Sequence, residues 1–218
     1  MLVKICGILQ PADALVASEA GADLVGMVFV PERRRQRDIP TAQSVTAALR
    51  MSDNAPTTVG LFANQPLSEV NRTVRACELD MVQLCGQEPL EYCDQVEVPV
   101  IKVLHILPSW EVEYAAGLLA EQIENLKAQE HWVTLDRRVE GLQGGTGQSF
   151  NWQIARELSA RGHRFLLAGG LDPRNVAEAV VATQPWGVDV STGVETDGDK
   201  DPDKVRAFIL AARSATGC

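Results

Sequence analysis

The chain has 218 residues, of which 45% are hydrophobic, 22% charged and 5% aromatic. That apolar fraction fills a sizeable core and excludes disordered and disulfide-scaffold readings, while the length allows one large domain or two small ones. Lys and Arg number 20 against 29 Asp and Glu, a net charge of −9; no basic stripe marks a nucleic-acid binder, although glycine loops and helix ends still bind small anions on an acidic protein.

The chain opens on Met1-Leu-Val-Lys-Ile-Cys-Gly7, without the charged leader and apolar region of a secretory signal. No apolar stretch approaches the roughly 18 residues of a membrane span. The five cysteines, Cys6, Cys77, Cys85, Cys93 and Cys218, show no paired metal-ligand spacing and read as free thiols of a cytoplasmic protein.

In chain order, eight short apolar runs alternate with longer stretches of helical period. The runs are Leu2–Cys6, Leu24–Phe29, Thr58–Phe62, Met81–Cys85, Val100–Leu104, Trp132–Asp136, Phe165–Ala168 and Val188–Ser191. Their ends recur about every 26 residues, the spacing of a strand and its crossover helix. Between them, Leu67, Val70, Val74 and Cys77, then Leu119, Ile123 and Leu126, then Val205, Phe208, Ile209 and Ala212 fall on helical faces. Pro11, Pro66, Pro173 and Pro202 mark helix starts, with Asp172 and Asp201 as N-caps of the last two.

Strands apolar on both faces imply a parallel sheet covered by helices. Eight strand–helix units over residues 1–218 predict a single (β/α)₈ barrel, an α/β fold, occupying the whole chain. An open doubly wound sheet has the weaker claim, because no Gly-x-Gly-x-x-Gly follows the first strand. The charged stretch Glu32-Arg-Arg-Arg-Gln-Arg-Asp38 falls in a loop after strand 2.

In such a barrel the active site lies at the C-terminal strand ends. Cys6 ends strand 1, Cys85 strand 4 and Asp136 strand 6, and Asp189 lies in strand 8. Lys4 shares a strand face with Cys6, as Asp189 does with Ser191. Three glycine clusters follow late strands: Gly144, Gly145, Thr146 and Gly147; Gly169 and Gly170; and Ser191, Thr192 and Gly193. Glycine lets backbone N–H groups approach an oxyanion, and barrel enzymes bind phosphate through the loops after strands 7 and 8. Together they predict a phosphorylated small-molecule ligand.

These segments resemble the phosphoribosylanthranilate isomerase family of tryptophan biosynthesis. The likeness runs through Val3-Lys-Ile-Cys-Gly7, Gly26-Met-Val-Phe29, Val59-Gly-Leu-Phe-Ala-Asn64, Val82-Gln-Leu-Cys-Gly86, Gly144-Gly-Thr-Gly147, Leu167-Ala-Gly-Gly-Leu171 and Gly187-Val-Asp-Val-Ser-Thr-Gly-Val-Glu195, in order and at barrel spacing. The resemblance implies an Amadori rearrangement of N-(5-phosphoribosyl)anthranilate without metal or organic cofactor. It assigns the general base to Cys6 and the general acid to Asp136, lets Asp189 orient substrate, and places at Arg35 the guanidinium for the anthranilate carboxylate. Arg33, Arg34 and Arg37 are neighbours in the same run, with Arg34 and Arg37 able to substitute. It further implies no nucleic-acid or membrane partner and a monomer or homodimer.

A free Cys thiol has pKa near 8.5, so Cys6 needs a cationic or hydrogen-bonding neighbour to act as thiolate, and Lys4 is the expected contributor. Two departures from the family pattern stand out: Cys85 replaces the histidine that usually ends strand 4, and Gln148 replaces a basic residue after the glycine loop. Taken alone, Cys6 reads as a small buried hydrophobe, Asp136 and Asp189 as structural carboxylates, and the arginines as a solvated loop; their joint placement carries the functional reading. Cys77 and Cys93 read as core, and His105 as a residue of the barrel mouth without chemistry. Two rival readings remain open: another sugar-phosphate isomerase or epimerase on this barrel, including a dual tryptophan/histidine-pathway enzyme, and a barrel that only binds a phosphorylated metabolite. Cys6 argues against the dual enzyme, which resembles a barrel with aspartates at both proton-transfer positions.

Overall fold

The computed structural model describes residues 1–107, 109–137 and 152–215. Eight parallel strands close into a barrel in sequence order: β1 (Leu2–Cys6), β2 (Leu24–Val28), β3 (Thr57–Phe62), β4 (Met81–Leu84), β5 (Val100–Ile106), β6 (Trp132–Arg137), β7 (Leu166–Leu167) and β8 (Gly187–Val190). The helices between them are α1 (Pro11–Glu19), α2 (Ile39–Arg50), α3 (Leu67–Cys77), α4 (Leu90–Cys93), α5 (Val112–Ala128), α6 (Trp152–Ala160) and α7 (Val176–Thr183). After β8 come a 3₁₀ turn at Thr192–Val194, a small hairpin of β9 (Glu195–Thr196) and β10 (Asp199–Lys200), and α8 (Pro202–Ser214). The seam closes where β1 meets β8, with Lys4 opposite Asp189.

Two packed regions follow from the alternation of side chains along each strand. Outward residues such as Val3, Ile5, Met27, Val82 and Leu135 pack under the helices. Inward residues Leu24, Val59, Leu61, Met81, Ile101 and Leu166 fill the barrel. The buried positions of α8 are the four that its period predicts, Val205, Phe208, Ile209 and Ala212. Asp201 caps that helix, accepting from Asp203 N at 3.0 Å and Lys204 N at 3.1 Å, an arrangement worth about 1 kcal/mol. Cys77 and Cys93 are core thiols on α3 and α4; Cys218 lies outside the described residues.

Several local readings are corrected. The inner strand face is not apolar throughout: Lys4, Gln83, Thr134 and Asp189 are buried within it, tolerated where polar partners or ligands meet them. β5 runs to Ile106, so His105 stands inside it. β7 is only two residues long, since beyond Ala168 the chain turns through Gly169 and Gly170 at φ 90° and 74°. Asp172 caps a turn by accepting from Arg174 N and Asn175 N, which delays α7 to Val176 instead of Pro173. Pro66 occupies the N-cap of α3 with ψ 136°, one position before the first helical residue.

Candidate active site

Cys6 stands at the C-terminal end of β1 and Asp136 one residue before the end of β6, with inward register on both strands. Cys85 follows β4 and packs with Cys6 in the inward-facing cluster, while His105 of β5 pairs in register with Asp136 and stands beside Cys85, so the three strand ends face one mouth. Burial pushes the Cys85 thiol up to about 12, which leaves it an inert neutral group at the position of the family's histidine. His105 Nε2 lies 3.2 Å from Cys85 O. Gln83 Oε1, His105 Nδ1 and Thr134 Oγ1 are buried without a hydrogen-bond partner among the described residues.

Lys4 is fully buried and reaches both oxygens of Asp189, at 3.1 and 3.0 Å. Burial lowers a lysine, yet Asp189 and then Cys6 outweigh it and hold Lys4 above its ordinary value. A Cβ added to Gly26 would stand 3.0 Å from Cys6 Sγ and 3.2 Å from Lys4 Nζ, so thiol and ammonium share one side of the barrel. The expected help from Lys4 is therefore present but partly spent. Burial pushes the Cys6 thiol up, Lys4 and Lys200 pull it down, Asp189 opposes them, and the balance is a raised thiol.

The arginine run is sorted by its contacts. Arg37 reaches the backbone oxygens of Arg35 and Leu9, and Arg33 is exposed. Arg34, also exposed, donates to Gly198 O and Glu195. Arg35 is the one laid across the mouth. Its Nε donates to Glu195 Oε1 at 2.6 Å and its Nη2 to Oε2 at 2.8 Å. A Cβ on Gly7 would meet Arg35 Cδ at 2.5 Å and Ser191 Oγ at 2.9 Å. Gly7 also has φ 78°, a region costly for side-chain-bearing residues, so only glycine lets the arginine lie there.

Glu195 and Lys200 are the site residues that the sequence reading gave no role. Lys200, buried on β10, donates to Ser191 O at 2.8 Å and to Glu195 Oε1 at 2.9 Å. Burial opposes ionisation of Glu195, but hydrogen bonds from Arg35 and Lys200 outweigh it and hold the carboxyl at about 2. The available signal was Asp197-Gly198, a two-residue hairpin turn that folds Lys200 back onto Glu195.

Of the predicted anion-binding loops, the one after β7 presents half-buried Gly169 and exposed Gly170. The loop after β8 forms the 3₁₀ turn with Ser191 at its N-cap. The two loops touch: a Cβ on Gly193 would overlap the backbone oxygen of Leu171. Gly144, Gly145, Thr146, Gly147 and Gln148 lie outside the described residues.

A closed (β/α)₈ barrel with a thiol, a carboxylate and a fixed guanidinium at its C-terminal mouth is the arrangement of an acid–base enzyme for a small anionic substrate. The family model described as N-(5'phosphoribosyl)anthranilate (PRA) isomerase matches residues 3–211. A protein named N-(5'-phosphoribosyl)anthranilate isomerase from Dehalococcoides mccartyi is 41% identical over 214 residues, covering 98% of this chain and 96% of its own. The crystal structure of phosphoribosyl anthranilate isomerase from Thermotoga maritima superposes with a TM-score of 0.82 at 32% identity, covering 98% of this chain and 100% of that one. A phosphoribosyl anthranilate isomerase in complex with reduced 1-(o-carboxyphenylamino)-1-deoxyribulose 5-phosphate gives a TM-score of 0.78 at 31% identity, with 98% and 100% covered. The chain belongs to the N-(5'-phosphoribosyl)anthranilate isomerase family.

Proposed function

We propose that this chain converts N-(5'-phosphoribosyl)anthranilate to 1-(2-carboxyphenylamino)-1-deoxyribulose 5-phosphate in tryptophan biosynthesis, with Cys6 and Asp136 as the proton movers. The observation that carries the reading is the placement of Cys6 and Asp136 on two strand ends of one mouth in a member of this family.

The Asp136 carboxyl gives its proton to the ribose ring oxygen, the C1′–O bond breaks, and the nitrogen lone pair forms the Schiff base. The Cys6 thiolate takes the C2′ proton, and the C–H electron pair moves toward the iminium to give an enolamine. Proton transfer from the enol to C1′ leaves the ketone; the proton that Asp136 gave up is matched by the one Cys6 took, and its return from Cys6 to Asp136 through solvent resets the pair, so atoms and charge balance without an added reagent. Burial raises the Cys6 thiol, and the ammonium groups of Lys4 and Lys200 oppose that shift and favour the thiolate.

Arg35 receives the anthranilate carboxylate as a planar donor pair. Asp189, held by Lys4, orients the sugar hydroxyls. Backbone amides at Gly144, Gly145, Thr146, Gly147, Gly169, Gly170, Ser191, Thr192 and Gly193 receive the phosphate. Among the described residues no helix is long and apolar enough to cross a membrane, and the proposal places the enzyme in the cytoplasm as a monomer or homodimer, acting on this small molecule and on no nucleic acid.

The test is the loss of the substrate's fluorescence when the substrate is made in situ from anthranilate and phosphoribosyl pyrophosphate by the preceding transferase. Turnover by the wild-type chain is expected; its absence overturns the reading.

A further inference from the structure

We infer that Glu195 is the positioning residue for Arg35, consuming one edge of its guanidinium so that the other faces the substrate's carboxylate. The inference rests on the reading that Arg35 binds that carboxylate.

All four acceptor positions of Glu195 are filled. Oε1 accepts from Arg35 Nε at 2.6 Å and Lys200 Nζ at 2.9 Å; Oε2 accepts from Arg35 Nη2 at 2.8 Å and Arg34 Nη2 at 2.5 Å. A guanidinium carries five N–H donors in a rigid plane. Glu195 uses the Nε–Nη2 edge, and the Nη1–Nη2 edge has no hydrogen-bond acceptor among the described residues. That remaining edge offers two parallel donors, the geometry that pairs with a second carboxylate.

The anchoring joins two separate loops of the barrel mouth and is largely shielded from water. Glu195 heads the hairpin after β8, whereas Arg35 belongs to the loop after β2. The Glu195 side chain is 6% exposed and that of Arg35 19%. Lys200 ties the same carboxylate to Ser191 O in the loop that reads phosphate. Glu195 thus sets the distance between the carboxylate-binding and phosphate-binding ends of the site. Arg34 donates to Glu195 and to Gly198 O from the exposed side. Its role is to close the hairpin over the clamp, which removes it as a rival for substrate.

The experiment compares wild type, Glu195→Gln and Arg35→Met by steady-state kinetics and by the affinity of two probes. One probe is the reduced product bearing the 2-carboxyphenyl group; the other is its phenyl counterpart without the carboxyl. Both carry the phosphate, so their affinity ratio cancels the phosphate's response to the altered charge; the loss of the Glu195 charge by itself favours the carboxylated probe, opposite in sign to the expected change. Glu195→Gln is expected to raise KM about tenfold with kcat within about threefold, and to shrink the wild-type preference for the carboxylated probe at least fivefold. An unchanged preference, a lowered KM showing that Glu195 competes with substrate, or equal weakening of both probes from a loosened hairpin each overturns the inference. If Arg35→Met keeps the wild-type preference, the assignment of the carboxylate to Arg35 falls and this inference with it. If Arg35→Met loses the preference and Glu195→Gln keeps it, only this inference falls.

Discussion

Lys4 Nζ lies 3.0 Å from Asp189 Oδ2 and 3.1 Å from Oδ1, across the β1–β8 seam that closes the barrel. Both groups are buried, at 0% and 7% exposure. Two charges removed from water are tolerable only as a pair, and breaking such a pair costs about 3–5 kcal/mol because the survivor stays buried and uncompensated.

Lys4→Met should therefore lower the melting temperature by roughly 10 °C for a chain of this size. Replacing both partners, as in Lys4→Met with Asp189→Leu, should restore most of that loss while turnover stays impaired. Thermal unfolding of the three proteins checks it: an unaltered melting temperature in Lys4→Met contradicts the buried pairing.

The same geometry predicts the acidity of Cys6. Burial raises the thiol, Lys4 lowers it, Asp189 raises it and Lys200 lowers it. Asp189→Asn removes a raising influence and frees the Lys4 charge, so the alkylation of Cys6 by iodoacetamide should rise at lower pH than in wild type. Lys200→Met removes a cation and should move the alkylation curve to higher pH. Equal curves for all three proteins would show that these charges do not reach the thiol.

Gly7 holds room for Arg35. In Gly7→Ala the added methyl group meets Arg35 Cδ at 2.5 Å and sits on a backbone with φ 78°. The backbone penalty is about 1–2 kcal/mol, and displacement of the guanidinium forfeits a charged hydrogen bond of about 1.5–3 kcal/mol. KM should rise roughly tenfold or more, with the smaller part of the effect on kcat. An unaffected KM would remove Arg35 from the mouth.

Glu195 also makes stability depend on pH. Its carboxyl is held at about 2 in the folded chain against an ordinary 4.5. A depressed folded value means that the stabilisation is complete above about 4.5 and is lost as pH falls toward about 2. The melting-temperature gap between wild type and Glu195→Gln should therefore be widest near neutrality and narrow as pH drops from 4.5 toward 2. A gap independent of pH contradicts the charged clamp.

Much of the barrel was legible because each strand is a short apolar run and each crossover has a helical stripe. The positions of Cys6, Asp136 and Asp189 follow from strand ends and parity alone. Long-range pairing was not legible in the same way. Lys4 reads as a cation beside Cys6, but only the seam of β1 with β8 reveals that Asp189, 185 residues away, takes its charge. Glu195 was visible within a family-like segment, yet its role depends on Arg35, 160 residues earlier, and on a two-residue turn that returns Lys200. The resemblance places the carboxylate at Arg35 with Arg34 and Arg37 able to substitute, and the contacts with Gly7 and Glu195 are what set Arg35 apart from them.

The central claim is that Cys6 and Asp136 move the protons of the isomerisation. Its most direct measurement is kcat for wild type, Cys6→Ser and Asp136→Asn in the anthranilate-fluorescence assay, with melting temperatures taken alongside. A positioned proton mover contributes about 10²–10⁴-fold, so each variant should retain its fold and lose kcat by about that factor. Wild-type kcat in either well-folded variant would contradict the account.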